Sequence, residues 1–365
     1  MTSGMGSQHI GAFTRDPAPE RVVFGPGSVN RLADEVAALG LRRIMLVAAG
    51  SSAPVGESIA KQLGAVAVGI FGQVRQHVPE DLAAAASHTA RELSADGVLT
   101  VGGGSAIGLG KAVALETGVV VVAVPTTYSG SEMTPIYGVT GRHKRVGRDP
   151  VVQPRLVGYD PELTTGLSAH VTATSGFNAL AHCVEALYAP GTDPLTRLHA
   201  VGGIRALARA LPVAVREPTN LDARGDALFG AFLAGSALAV AGTALHHKLC
   251  HVLGGTFGLP HAEVNSVLLP HVVAFNQPAV PDAMAAVADA LGNADAAGGL
   301  YELAVRLGAP TSLAELGMPA DGLEVAAHRA VSAVGDTNPR PVHVEELHAL
   351  LDDAYQGRQP KRSHQ

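Results

Sequence analysis

Tryptophan is missing, cysteine occurs twice, and aromatic residues make up only 4% of the 365-residue chain. With Cys183 and Cys250 alone, no disulfide framework of the kind that staples small secreted domains can form. The pair fits a reducing cytoplasm, as small buried hydrophobes. Charge is also sparse, at 16% of residues. A formal net charge of −6 and a pI near 6.2 argue against nucleic acid or an anionic membrane surface as partner. An anionic ligand would therefore need a local concentration of cations. No apolar run approaches the roughly 20 residues of a membrane span, and Met1–His9 lacks the basic-then-apolar order of a signal peptide. Residues 1–9 and the polar tail 359–365 read as disordered.

What is present is a compact pattern, 47% hydrophobic and rich in Ala, Val, Leu and Gly. From about Arg21 to Asp160, short β-branched runs (43–47, 65–70, 97–101, 119–124) alternate with Ala-rich stretches (56–63, 81–94, 106–115). That alternation predicts βαβ units and a mostly parallel sheet, an α/β Rossmann-like domain over 10–161. Beyond Asp160-Pro161 valine runs become rare. Stretches of helical length at 168–188, 194–216, 223–240, 243–255, 280–307 and 322–334 predict an all-α domain over 162–358. With no linker between the halves, the ligand site is expected where they meet.

Gly102-Gly103-Gly104-Ser105 stands where a strand ends and a helix begins. Glycines let the backbone approach a phosphate, and the helix start supplies free N–H groups. Alone, the cluster reads equally as a tight structural turn, because no acidic residue follows at the spacing that holds a ribose. The next strand ends in Pro125-Thr126-Thr127-Tyr128-Ser129, a second hydroxyl-rich loop. Two such loops side by side favour a dinucleotide site with Thr126, Thr127 and Ser129 as contacts. The basic run Arg142–Arg148, in a Gly-bounded turn, reads mainly as a solvated face, with Lys144 as its candidate cofactor contact.

The densest signal is histidine. His246, His247, His251 and His261 fall within sixteen positions, with Lys248 among them. On a helix, His247 and His251 are i,i+4 and share a face, as do Asn178 and His182 in an earlier segment. Two such pairs on facing helices are a way to build a buried metal or catalytic site. His182, His247 and His261 supply three imidazoles, enough for Zn²⁺ or Fe²⁺. Asn178, however, is a neutral amide where a divalent ion wants a carboxylate, and Lys248 and His246 add like charge. The residues therefore favour a metal-free site, with a metal-bound one as the alternative.

These motifs, spanning roughly residues 20 to 357, resemble the iron-containing alcohol dehydrogenase superfamily. It is marked by Gly-Gly-Gly-Ser, Pro-Thr-Thr…Gly-Ser-Glu, Asp-Ala-Leu-x-His, and His-x-x-x-His with a further His ten residues on. Within it, the departures at Asn178 and Gly108, the segment His246–Gly255 and the shortened Pro125–Glu132 loop resemble the maleylacetate reductases. The resemblance implies NADH- or NADPH-dependent reduction of the carbon–carbon double bond of maleylacetate, a small dicarboxylate, to 3-oxoadipate in bacterial degradation of aromatic compounds. It also implies a cleft between two domains and a homodimer.

Hydride addition to the β-carbon leaves an enolate on the ketone oxygen, which needs a preorganised positive field. The reading assigns that field to Lys248 with partly protonated His246, His247 and His251, in place of a metal. His182, His247 and His261 would line the former metal pocket and hydrogen-bond the substrate. Lys248 and His246 would bind a carboxylate or the enolate, and His251 would donate the α-proton. The rivals are a metal-dependent alcohol or polyol dehydrogenase, a dehydroquinate-synthase-like lyase that uses NAD only transiently, and a non-catalytic remnant.

Overall fold

The computed structural model describes residues 21–141 and 144–360, apart from the side chain of Lys144. Arg142 and His143, the segment 1–20 and the residues 361–365 lie outside it, and with them most of the terminal stretches read as disordered.

In chain order the first half contains β1 (Arg21–Phe24), α1 (Leu32–Ala38), β2 (Ile44–Ala48), α2 (Ala53–Leu63), β3 (Ala67–Phe71), α3 (Glu80–Glu92) and β4 (Gly97–Gly102). It continues with α4 (Gly104–Thr117), β5 (Val120–Pro125), β6 (Ile136–Thr140), β7 (Lys144–Arg148) and β8 (Leu156–Tyr159). Six strands form one sheet in the order β1-β8-β5-β4-β2-β3, every pairing parallel. Helices cover both faces, as such a sheet requires. Along β2, Ile44, Leu46 and Ala48 enter one core while Met45 and Val47 enter the other, the period-two alternation of a strand. From Lys144 to Arg148 the basic run expected as a turn is instead β7, paired antiparallel with β6. Val139 of β6 enters the core beside α3 and α4, which anchors the ribbon and holds β7 against it.

The second half is helical: α5 (Ala169–Ala186), α6 (Pro194–Arg216), α7 (Leu221–Ala241), α8 (Leu245–Phe257), α9 (His261–Asn276), α10 (Pro281–Leu291), α11 (Ala296–Leu307), α12 (Leu323–Val334) and α13 (Val344–Tyr355). The starts follow capping chemistry. Ser168, Asp193, Asn220 and Asp295 each accept a backbone N–H from their helix's first turn. The expected helix at 280–307 is two, because Gly292 ends α10 in the left-handed region (φ 67°) and Asp295 caps α11. α6 and α7 do have the length and hydropathy of a membrane span, contrary to the sequence expectation. Half of the α6 window and 72% of the α7 window are buried inside the protein, and Arg197, Arg205, Arg209 and Arg224 interrupt them.

One core joins α5, α6, α7, α10 and α11 to Tyr128 and Met133 from the sheet half, and a second joins α8, α9, α12 and α13. The first core crosses between the halves. It fixes the loops at the sheet's edge against α5, on which Asn178 and His182 are carried.

Candidate active site

The chain runs from β2 outward to β3, then returns to the other side of β2 for β4 and β5. The sheet's switch point therefore lies at the carboxyl ends of β2 and β4, the place where open α/β sheets bind ligands. Gly102 there adopts φ 150°, open to glycine and strained for other residues. Gly103 and Gly104 are close-approach positions: a Cβ on Gly103 would lie 2.9 Å from Thr127 Oγ1, and one on Gly104 3.3 Å from Ser129 Cβ. The Thr126 backbone N–H donates to Gly102 O at 3.0 Å, and its hydroxyl lies 3.4 Å from that of Ser52. Three strand ends thus gather round the start of α4, which has no side-chain cap of its own. Gly102–Ser105, Thr126, Thr127 and Ser129 fit a dinucleotide phosphate by this geometry. Lys144 lies on β7, its side chain outside the described residues.

Two buried basic side chains hold the second loop from behind, and burial draws the pKa of Lys111 down to about 7. Lys111 Nζ, fully buried on α4, lies within 2.6–3.0 Å of the carbonyl oxygens of Ser131, Thr134 and Ile136 and the Thr134 hydroxyl. Arg224, fully buried on α7, donates to Tyr128 Oη at 3.0 Å and Thr172 Oγ1 at 2.9 Å. Buried charges persist only where hydrogen bonds replace water, so both positions are committed to holding the loop in place.

The same loop reaches the histidines. Asn178 Nδ2 donates to the Ser129 carbonyl at 3.2 Å and lies 3.2 Å from His182 Nε2. Because a carbonyl must face the nitrogen end of the amide, His182 Nε2 is the acceptor in the second contact. His182 stacks on His247, with centroids 4.4 Å apart and planes at 9°. His261 lies 6.4 Å from His247 and stacks on His251 at 5.6 Å. Asn178, His182, His247, His251 and His261 are therefore brought together from α5, α8 and α9. Lys248, half-buried, is close enough to His247 to disfavour a proton there.

Two expectations need correction. Burial, more than neighbouring charge, holds His182 and His247 well below the ordinary histidine range, and His246 below it too. These rings are neutral near pH 7, so the expected positive field does not come from them. His246 is also fully buried, with Nε2 committed to Asn265 Oδ1 at 2.7 Å. Asn265 donates through its nitrogen to the His261 carbonyl, so its oxygen accepts from His246. His246 is thus a strut between α8 and α9, not a carboxylate-binding group.

A divalent metal of the kind this ligand pattern evokes does not fit the arrangement. Parallel stacked rings cannot both direct a lone pair at one ion, and the His182 Nε2 lone pair is taken by an amide N–H.

The sequence reasoning missed Glu185, Asn265, Lys111 and Arg224. Glu185 carried a readable signal. It follows Asn178 by seven residues and His182 by three, placing a third polar side chain on one stripe of an otherwise apolar helix. It is fully buried, accepts the His246 backbone N–H at 2.7 Å, and lies 2.6 Å from His247 Nδ1.

Residues 19–161 match the iron-containing alcohol dehydrogenase family model, and residues 172–355 match the C-terminal model of the same family. A maleylacetate reductase of Sphingobium indicum is 50% identical over 349 residues, 95% of this chain and 99% of that protein. One from Burkholderia cepacia is 47% identical, covering 96% and 100% respectively. The crystal structure of maleylacetate reductase from Agrobacterium tumefaciens superposes with a TM-score of 0.92 at 43% identity, over 96% of this chain and 100% of that one.

Proposed function

The chain belongs to the iron-containing alcohol dehydrogenase family and is an oxidoreductase, and we propose that it reduces the conjugated double bond of maleylacetate to give 3-oxoadipate. The observation that carries this reading is a histidine pocket cornered by an amide, in a chain 50% identical to a maleylacetate reductase over nearly its whole length. Reduction by NADH or NADPH is supported by the glycine cradle at the switch point. No acidic side chain follows β2, where Ala49-Gly50-Ser51 stand, so nothing there repels a 2′-phosphate. Independence from metal is supported by the Asn178–His182 contact and the ring stacking. A cytoplasmic homodimer completes the reading, supported by two free buried cysteines and by the family resemblance.

Gly102–Ser105, Thr126, Thr127 and Ser129 would hold the cofactor, which when bound supplies hydride to the substrate's β-carbon. The remaining chemistry belongs to this chain. Electron density displaced by the hydride collects on the ketone oxygen, and a fixed positive charge stabilises it most where water is excluded. Lys248 is assigned that charge, since the buried imidazoles are neutral. His251, exposed on α8 and stacked on His261, is assigned delivery of the proton to the α-carbon. Asn178, His182, His247 and His261 are assigned the wall of the pocket, with Lys248 close to His247.

The test follows loss of NADH and NADPH absorbance with maleylacetate, with and without EDTA. Turnover unaffected by the chelator is expected. Activity on simple aldehydes that disappears with EDTA would favour the metal-dependent alcohol dehydrogenase reading instead.

A further inference from the structure

α8 begins beside the pocket without a cap of its own, since Ala244 offers no side-chain acceptor. The cap comes from another helix. Glu185 of α5, fully buried, accepts the His246 backbone N–H on Oε1 at 2.7 Å. A carboxylate is the favoured partner for the free N–H groups and positive dipole end of a helix start. Burial pushes the Glu185 carboxyl above its ordinary range, and the backbone N–H groups of Ala244, His246 and His247 that converge on it oppose that rise by favouring its charged form.

Capping uses only one of the two carboxylate oxygens. Oε2 lies 2.6 Å from His247 Nδ1, and the other ring nitrogen, Nε2, is buried with no protein partner. A buried polar atom left without a partner is rare in a well-packed chain and marks a place for a ligand or water. One carboxylate therefore holds the backbone start of α8 and one ring nitrogen of His247, leaving the other nitrogen for the pocket.

We propose that Glu185 is a positioning residue for the reduction: by accepting from His247 Nδ1 it keeps the proton on that nitrogen and leaves Nε2 as an acceptor directed into the pocket. The proposal rests on the reading of this pocket as the site of maleylacetate reduction. An acceptor nitrogen does not bind an oxygen-rich dianion directly; it holds a donor that does. An ordered water is such a donor. Glu185 thus sets the direction in which a hydrogen-bond donor is offered to the substrate without touching the substrate itself.

Glu185→Gln makes the argument testable because the backbone N–H can only donate. The amide oxygen must stay on His246 N–H, which turns the amide nitrogen toward His247 Nδ1. The ring then has to accept there and carry its proton on Nε2. That is the tautomer inversion that costs a serine protease about 10⁴ in kcat when its buried aspartate becomes asparagine. For this chain we expect kcat for maleylacetate to fall by at least ~10²-fold. KM should not rise, because Nε2–H becomes a direct donor to a substrate carboxylate, and the NADH Kd should be unchanged. Glu185→Asp, which keeps the carboxylate, should recover part of the loss.

The spectroscopic readout is the long-range 15N–1H correlation spectrum of protein labelled with 15N-histidine, with His247 assigned by comparison with His247→Gln. Wild type should show Nδ1 protonated and Nε2 bare, and Glu185→Gln the reverse. A wild-type His247 protonated on Nε2 overturns the proposal whether or not the variant folds, and so does a Glu185→Gln enzyme with wild-type kcat. If the wild-type protein failed to reduce maleylacetate at all, the functional reading would fall, whereas the tautomer spectrum would still report on Glu185.

Discussion

Asn178 presents the nitrogen end of its amide to His182 Nε2, at 3.2 Å, and uses the same nitrogen on the Ser129 carbonyl. One side chain thereby ties the cofactor loop to the histidine pocket and occupies the lone pair that a metal would need. A carboxylate could do neither, because it has no N–H to give either acceptor.

Asn178→Asp should therefore change ligand preference. The new carboxylate repels the Ser129 carbonyl and frees His182 to turn out of its stack on His247, so that a negative corner and three imidazoles can converge on one ion. Metal analysis after growth with Zn or Fe should find the variant approaching about one ion per protomer, with maleylacetate turnover reduced at least ~10-fold. Equal metal content in parent and variant would show that the amide is not what excludes the ion.

Lys248→Ala should lower kcat/KM for maleylacetate by at least ~10²-fold, the scale of losing an electrostatic stabiliser in a closed site. Because the nearby buried rings are held neutral, none of them can substitute for the ammonium. Steady-state kinetics with Lys248→Ala and Lys248→Arg decide this. Near-normal turnover in the alanine variant would remove Lys248 from the mechanism.

Gly103→Ala is a steric probe of the cofactor cradle. Gly103 has φ −82°, which alanine accepts, but the added Cβ would lie 2.9 Å from the Thr127 hydroxyl. Thr127 must turn aside, at about 1–3 kcal/mol, so the NADH Kd should rise ~10-fold or more with little change in Tm. Fluorescence titration of NADH reads this directly, and an unchanged Kd would mean that the cofactor does not approach this turn.

Acid should destabilise the protein from its second helical core. Burial draws the pKa of His271 on α9 down to about 4, against a weaker opposing pull from Asp353. Between about pH 6.5 and 4 the unfolded chain binds a proton at this residue that the folded chain refuses, so stability rises with pH across that window. Full stability at this position is present above about pH 6.5, and on the order of 3 kcal/mol is lost as the pH falls to about 4. Urea unfolding at several pH values, for wild type and His271→Leu, should show a shallower pH dependence in the variant. Parallel curves would place the acid-sensitive group elsewhere.

Much of this molecule was legible from residue order. The alternation of valine runs with alanine-rich stretches is set by the strand and helix periods themselves. It located β2 to β5 and the helices between them to within a few residues. The i,i+4 spacing of Asn178 with His182, and of His247 with His251, needs only helical geometry to put each pair on one face. Short elements were harder: β1 and β8 have four residues each, too few to display a period, and are defined by their parallel pairing with each other.

Tertiary structure alone decided how the histidines are used. Local sequence states that a ring is present, but its charge depends on how much water the surrounding helices exclude, and its tautomer on which acceptor another helix brings to it. His246 and His247 are adjacent in the chain, yet one binds Asn265 of α9 and the other Glu185 of α5. Successive residues on a helix point about 100° apart, so neighbours in sequence meet different partners in space. No reading of the order of residues contains that information.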